Sequence, residues 1–303
     1  MTVRPPELET IEIILDGGVA TVLLNRPRQR NAWTLQMSED MSAALAWCDR
    51  TDAVGGVVVS GNGPYFCVGA DLSGRDILRP GGEQDREPPA PRQLLWPSAV
   101  RKPVVAALHG HAVGIGITFA LHCDLRLVAE DAKVGLPFVR RGVVPEANAN
   151  WLLPRIVGLP AALDLVLTGR TLLGREAAEL GLCYRALPAG EVLDAATRWV
   201  AQVVADGAPL ALGLAKRLLW DSQASGPDEA WEKERAAFLA ELAADPPAAI
   251  LLTNDVWPQG PGLPSLDNWQ EFKAFLASHY DTRFIGHQDY IDWRLYLRRS
   301  SQQ

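Results

Sequence analysis

The chain has 303 residues, 48% hydrophobic and 21% charged, with a formal net charge of -7. That length allows one large domain or two smaller ones around a sizeable core, and the acidic balance, without a long Lys/Arg block, argues against a nucleic-acid face. Cys48, Cys67, Cys123 and Cys183 form no Cys-x-x-Cys pair, the start carries Pro and Glu, and no apolar run reaches the ~18 residues of a membrane span. The expectation is a soluble cytoplasmic protein with no metal, no disulfide framework and no membrane partner.

Ile11 to Leu15 and Ala20 to Leu24, either side of Gly17-Gly18, predict a β-hairpin. Met41, Leu45 and Cys48 give Ser38 to Cys48 a helical spacing. Gly56 to Ser60, Val104 to Leu108 and Leu125 to Ala129 are short apolar runs that predict buried strands separated by helical segments. Ser73 to Pro97 loses apolar periodicity and fills with Arg, Asp, Glu, Gly and Pro, which predicts a lid or a disordered excursion. Leu159 to Thr168, Gly174 to Leu180 and Glu191 to Val204 are helical, with Pro160 and Pro209 suited to first turns. From Leu210 onward the pattern predicts helix throughout, broken at Asp245-Pro246-Pro247 and at Pro258 to Pro264. Tyr290 to Arg299 adds an aromatic, basic stretch; Trp257, Trp269 and Trp293 would cover apolar surface.

Two stretches carry most of the chemistry. Phe66-Cys67-Val68-Gly69-Ala70-Asp71-Leu72 and His109-Gly110-His111-Ala112-Val113-Gly114-Ile115-Gly116 each put small residues after an apolar run, where a helix is about to begin. Glycine leaves backbone amides unobstructed, and a helix start adds partial positive charge. Two such turns could converge on one carbonyl oxygen and hold it as it becomes an oxyanion. Taken singly, each glycine reads equally well as an ordinary strand-to-helix turn. The glycine spacing is not a dinucleotide fingerprint, and the chain has neither a Gly-x-Ser-x-Gly elbow nor a Walker lysine.

The order Asn25-Arg26-Pro27, Asn31-Ala32, Phe66 to Leu72, Gly110 to Gly116 and Cys123-Asp124-Leu125-Arg126 resembles the crotonase (enoyl-CoA hydratase/isomerase) superfamily. Leu167-Thr168-Gly169-Arg170, Glu176-Ala177 and Gly181-Leu182 extend the match, which runs from about Leu8 to about Leu219. The resemblance implies an α/β fold, a spiral of ββα turns followed by a C-terminal helical region. Residues 1–205 would form the spiral and its acyl-CoA site. Residues 206–303 would form a trimerisation or lid region, with an insertion near 245–268 and an atypical tail. It also implies a homotrimer or hexamer and an acyl-CoA substrate, with coenzyme A as part of the thioester and no separate cofactor. The enolate-holding amides would be those of Ala70 and Ile115. Ala32, Val68, Ala70, Asp71, Leu72, Ser73, Gly114, Thr118 and Phe138 would line the substrate path. Arg26 and Arg28 suit coenzyme A phosphates, solvated arginines being the alternative. Phe272 to Leu276 resembles the family's closing helix, with Ser278-His279-Tyr280 where relatives carry an adenine-binding lysine.

Hydratases of the family use two glutamates. The matching positions here are Thr118 and Phe138, and neither supplies a carboxylate. Glu146, in Val143-Val144-Pro145-Glu146, resembles the lone glutamate of the Δ3,Δ2-enoyl-CoA isomerase branch. One base suffices for a 1,3-proton shift, because the same group removes and returns the proton. Pro145 and Glu146 would equally well open a helix. The expectation is an acyl-CoA enzyme that stabilises a thioester enolate, with Glu146 moving the proton. The alternatives are a hydratase with a non-standard acid/base set, a non-catalytic acyl-CoA binder, or other enolate chemistry such as decarboxylation or C–C cleavage. Asp71 reads as a helix cap, Asp124 as a strand-entrance residue beside Arg126, and His109, His111 and His122 as satisfied core histidines.

Overall fold

The computed structural model describes residues 4–73, 94–244, 249–253, 270–288 and 291–298. The chain divides into two compact units, Met1–Trp220 and Asp221–Gln303.

The first unit opens with the expected hairpin, β1 (Ile11–Asp16) against β2 (Val19–Leu24). Helix α1 (Leu35–Arg50) follows, its first turn capped by the Thr34 hydroxyl, which accepts from the Met37 amide at 3.1 Å. Then come β3 (Gly56–Gly61), β4 (Val104–Leu108), β5 (Ala112–Val113), α2 (Ile115–Ala120), β6 (Leu125–Ala129) and β7 (Lys133–Gly135). The unit is completed by α3 (Ala149–Val157), α4 (Leu159–Thr168), β8 (Thr171–Leu173), α5 (Gly174–Glu179), β9 (Arg185–Leu187), α6 (Val192–Asp206) and most of α7 (Pro209–Ser222).

A six-stranded sheet runs in the order β1-β2-β3-β4-β6-β9, parallel from β2 onward. Val57, Val58, Val59 and all of β4 are buried, which is why these runs are continuously apolar rather than alternating. Helix α6 packs across β2, β3, β4 and β6, and α1 lies against β1 and β2. A smaller sheet joins β5, β7 and β8, and single bridges extend it from Ala112 to Cys67 and from Ala70 to Trp33. The chain therefore repeats one move: a strand in the large sheet, a short strand or bridge in the small one, then a helix. The runs β2–Trp33–α1, β4–β5–α2 and β6–β7–α3 each make it. This is the spiral of ββα turns.

Helix α7 is tied to this unit by a buried ion pair. Lys216 Nζ lies 2.8 Å from Asp124 Oδ2 and donates to the carbonyls of Pro97 and Lys102, both at 2.9 Å. Asp124 also accepts from the Val104 amide at 2.7 Å and from Trp220 Nε1 at 2.9 Å. Asp124 does guard a strand entrance, but its cation is Lys216. The Arg126 guanidinium turns instead to the carbonyls of Ala120, Cys123 and Leu182.

The second unit holds α8 (Pro227–Ala244), β10 (Ala249–Thr253), α9 (Gln270–His279), β11 (Tyr280–Gln288) and β12 (Ile291–Arg298). Its strands form an antiparallel sheet in the order β10-β12-β11, which corrects the expectation of helix throughout. The physical reason lies in the sequence. Ile291, Trp293, Leu295 and Leu297 alternate with Asp292, Arg294 and Tyr296, a period of two that suits a strand with one covered face. The excursion expected at Ser73 to Pro97, and the insertion expected near 245–268, lie largely outside the described residues.

Replacing Asp124 by Asn removes the counter-charge of Lys216, whose pKa burial already lowers. Breaking a buried pair in this way costs about 3–5 kcal/mol. A loss of that order is expected in urea denaturation; wild-type stability would show that the pair is not a fastening of the fold.

Candidate active site

The two glycine turns meet through backbone pairing. The Cys67 amide donates to the His111 carbonyl at 3.0 Å, and the Val113 amide donates to the Cys67 carbonyl at 2.9 Å. On the other side, the Trp33 amide donates to Gly69 O at 2.9 Å and the Asp71 amide to Trp33 O at 2.8 Å. Trp33 thus bonds to both neighbours of Ala70, leaving the Ala70 amide turned the opposite way. Ile115 opens α2, so its amide has no acceptor within the helix. Among the described residues, neither amide makes a backbone hydrogen bond. Gly69 (φ 109°) and Gly114 (φ 58°) hold left-handed conformations that side chains rarely adopt. The contact between the turns is close: a Cβ on Gly114 would stand 3.5 Å from Gly69 Cα, and one on Gly116 only 2.6 Å from Cys67 O. Helix α2 has six residues, so what the turns present is the amides themselves rather than a long helix dipole.

Beside Ala70, Asp71 accepts from the Ser73 hydroxyl, from the Ser73 amide at 3.0 Å and from Arg26 Nη2 at 2.9 Å. These bonds, those of Ser73 foremost, hold its carboxyl down at about 2. Arg26 also donates to the Ala32 carbonyl, so its guanidinium is engaged within the protein, while Arg28 is exposed. Asn31 organises this corner, a role the sequence reading did not assign. It is fully buried at φ 53°, accepts from the Arg26 amide at 2.9 Å, and donates to the carbonyls of Tyr65 at 2.8 Å and Asn62 at 3.0 Å. The available signal was the residue type, since asparagine is the side chain most at ease in the left-handed region.

Glu146 lies in the loop before α3, which starts at Ala149, so Pro145 and Glu146 do not open a helix. Its side chain reaches solvent, yet the protein around it excludes enough water to raise its pKa. Its charge is felt at Cys67, between the two turns, where it adds to the burial that pushes that thiol up to about 12. Cys48, Cys123 and Cys183 are likewise buried, and each is pushed up to about 12. Thr118 and Phe138 are 0% and 7% exposed, and the Thr118 hydroxyl has no hydrogen-bond partner among the described residues. Val68, Gly114 and Ile115 are half-buried, and Leu72 and Ser73 are exposed at the rim. His109 and His111 bond to Gly63 O and the Lys133 amide; only His122 is buried. Among the described residues, no group of three His, Cys, Asp or Glu could hold a metal, and no helix is long and apolar enough to cross a membrane.

Ala70→Pro deletes an amide that the fold does not use. If that amide holds the oxygen of an acyl substrate, as the resemblance implies, turnover should fall by about 10²–10³-fold while the melting temperature holds. Wild-type turnover in the folded variant would remove Ala70 from the oxyanion site.

The sequence model of the enoyl-CoA hydratase/isomerase family matches residues 15–242. Over 223 residues the chain is 35% identical to the enoyl-CoA hydratase ACTT3 of Alternaria alternata, covering 73% of this chain and 75% of that protein. Over 235 residues it is 30% identical to the 1,2-epoxyphenylacetyl-CoA isomerase of Escherichia coli strain K12, covering 75% of this chain and 88% of that protein. A crystal structure of a probable enoyl-CoA hydratase/isomerase from Mycobacterium abscessus matches with a TM-score of 0.69 and 38% identity, covering 77% of this chain and 90% of that one. The spiral fold, its paired turns and these likenesses agree: the chain belongs to the enoyl-CoA hydratase/isomerase family of acyl-CoA enzymes.

Proposed function

We propose that the chain is isomerase-like and moves a double bond within an enoyl-CoA thioester. The thioester oxygen accepts from the amides of Ala70 and Ile115, which stabilise the enolate as negative charge develops there. Glu146 takes a proton from the carbon between the carbonyl and the double bond of a 3-enoyl thioester. The electron pair left behind delocalises onto the oxygen, and the same carboxyl returns the proton to the fourth carbon, giving the 2-enoyl product. The observation that carries this reading is Glu146, whose charge reaches Cys67 between the two turns, while Asp71 is tied up by Arg26 and Ser73, and Thr118 and Phe138 stand at the positions where the resemblance expects glutamates. A raised pKa suits a group that must both take and give a proton. Arg28 at the rim is read as a coenzyme A phosphate contact, and the homotrimer or hexamer implied by the family belongs to the same proposal.

Hydration is the second reading, favoured by the hydratase name of the Alternaria relative. It would ask Glu146 alone to activate water. Parallel incubations with a 3-enoyl-CoA and a 2-enoyl-CoA, followed by product mass, separate the two. Isomerisation without mass gain, lost in Glu146→Gln, is the expected result; gain of one water from the 2-enoyl substrate would establish the hydratase. Binding of both thioesters without turnover would make the chain a carrier.

The raised pKa of Glu146 fixes two signs. The carboxylate form must do the first step, so the acid limb of the rate profile should lie above the ordinary glutamate range. The native state binds this proton more tightly than the unfolded chain, so the stability it contributes is present at low pH. That stability is lost as pH rises through the folded pKa. Glu146→Gln should therefore melt higher than wild type at pH 7, and no higher below the ordinary glutamate range. Equal melting at pH 7 would refute the raised pKa of this carboxyl.

A further inference from the structure

We propose that His122 is a positioning residue for Glu146, coupling the oxyanion turn to the base; the inference rests on the reading of Glu146 given above. His122 follows α2, the helix whose first residue, Ile115, presents one of the two amides. Its ring is buried and stacks on Trp96, with centroids 4.4 Å apart and planes at 28°. Nε2 lies 2.8 Å from the carbonyl oxygen of Ala147, the residue after Glu146. A carbonyl only accepts, so Nε2 carries the hydrogen. Nδ1 of the neutral ring is then an acceptor, and the Ser98 hydroxyl, 3.2 Å away, donates to it. Ser98 to His122 to Ala147 is thus a directed relay with no freedom of tautomer. Burial lowers the pKa of the ring, which favours the neutral form this arrangement uses.

The held carbonyl sits at an unusual piece of backbone. Ala147 (φ 52°) and Asn148 (φ 55°) are consecutive left-handed residues, a conformation costly for alanine and one that must be imposed from outside. The backbone torsions of residue 147 govern where Glu146 lies relative to α3. The hydrogen bond from His122 is what selects them. One short helix therefore carries an enolate-holding amide at its start and, at its end, the group that fixes the loop of the base. The His122–Ala147 hydrogen bond links α2 to this loop, beside the loop's own bonds from the Ala149 amide to Glu146 O at 3.0 Å and from Asn150 Nδ2 to Pro145 O at 3.3 Å.

The test is steady-state kinetics of the full chain with 3-hexenoyl-CoA for His122→Ala, His122→Gln, Glu146→Gln and the double variant His122→Ala/Glu146→Gln. In His122→Ala, kcat should fall by about 10²-fold with KM little changed, since misplacing a catalytic group by an ångström has that effect. Glutamine keeps an Nε2–H donor at similar reach and should restore most of kcat. In the Glu146→Gln background, His122→Ala should cause no further loss, because both changes remove one unit. Full additivity, a loss shared between kcat and KM, or failure of glutamine to rescue a folded protein would each overturn the proposal. Wild-type turnover in Glu146→Gln would sink the base and this inference with it. An inactive Glu146→Gln beside a fully active His122→Ala would sink the inference alone.

Discussion

The geometry of this molecule depends on one parallel bridge, Cys67 against Ala112. It is a single residue pair, yet it fastens the segment after β3 to the segment after β4. Two turns that leave adjacent parallel strands are thereby brought into contact, Gly69 against Gly114. Adjacent strands of a parallel sheet present their ends on the same side, so the large sheet sets the coarse position. The bridge then sets the last few ångströms. Gly69 and Gly114 are required there by their positive φ, and at Gly116 a Cβ would strike the Cys67 carbonyl at 2.6 Å.

Around that contact the fold distributes tasks between rigid and adaptable parts. The amides stand on a backbone held by the buried strands β3 and β4, whose valines admit little movement. The side chains of Arg26, Asn31 and Asp71 brace the first turn, in addition to its backbone bonds with Trp33. Glu146, the proposed base, stands on a loop, a less rigid support, and that is where a directed hydrogen bond from a buried ring has most to contribute.

Much of the larger sheet was legible because short, continuously apolar runs have one economical explanation. Val104–Leu108 and Leu125–Ala129 coincide with their expected bounds, as does helix Leu159–Thr168. The small sheet was not legible: β5 has two residues, and its extensions are single bridges, too short to leave any periodicity. These strands are defined by partners far along the chain. The same holds for Asp124, whose cation, Lys216, no local pattern could supply. In the tail, an alternating run beside expected helices was taken for helix, although its period of two was already visible in Ile291, Trp293 and Leu295. Glu146 is singled out in the sequence by the Pro145-Glu146 pair. In the left-handed pair behind it, Asn148 is a residue type at ease in that region, whereas Ala147 left no trace in the sequence.

Cys67 sits fully buried beside the proposed thioester seat, its thiol directed at the Gly69 carbonyl at 3.9 Å. Thioesters exchange readily with thiolates, and only the ionised sulfur attacks. With burial pushing its pKa up to about 12, this sulfur stays a thiol at neutral pH and is no competing nucleophile for an acyl group bound at the proposed seat. The burial that packs the core thus also guards the enzyme against acylating itself.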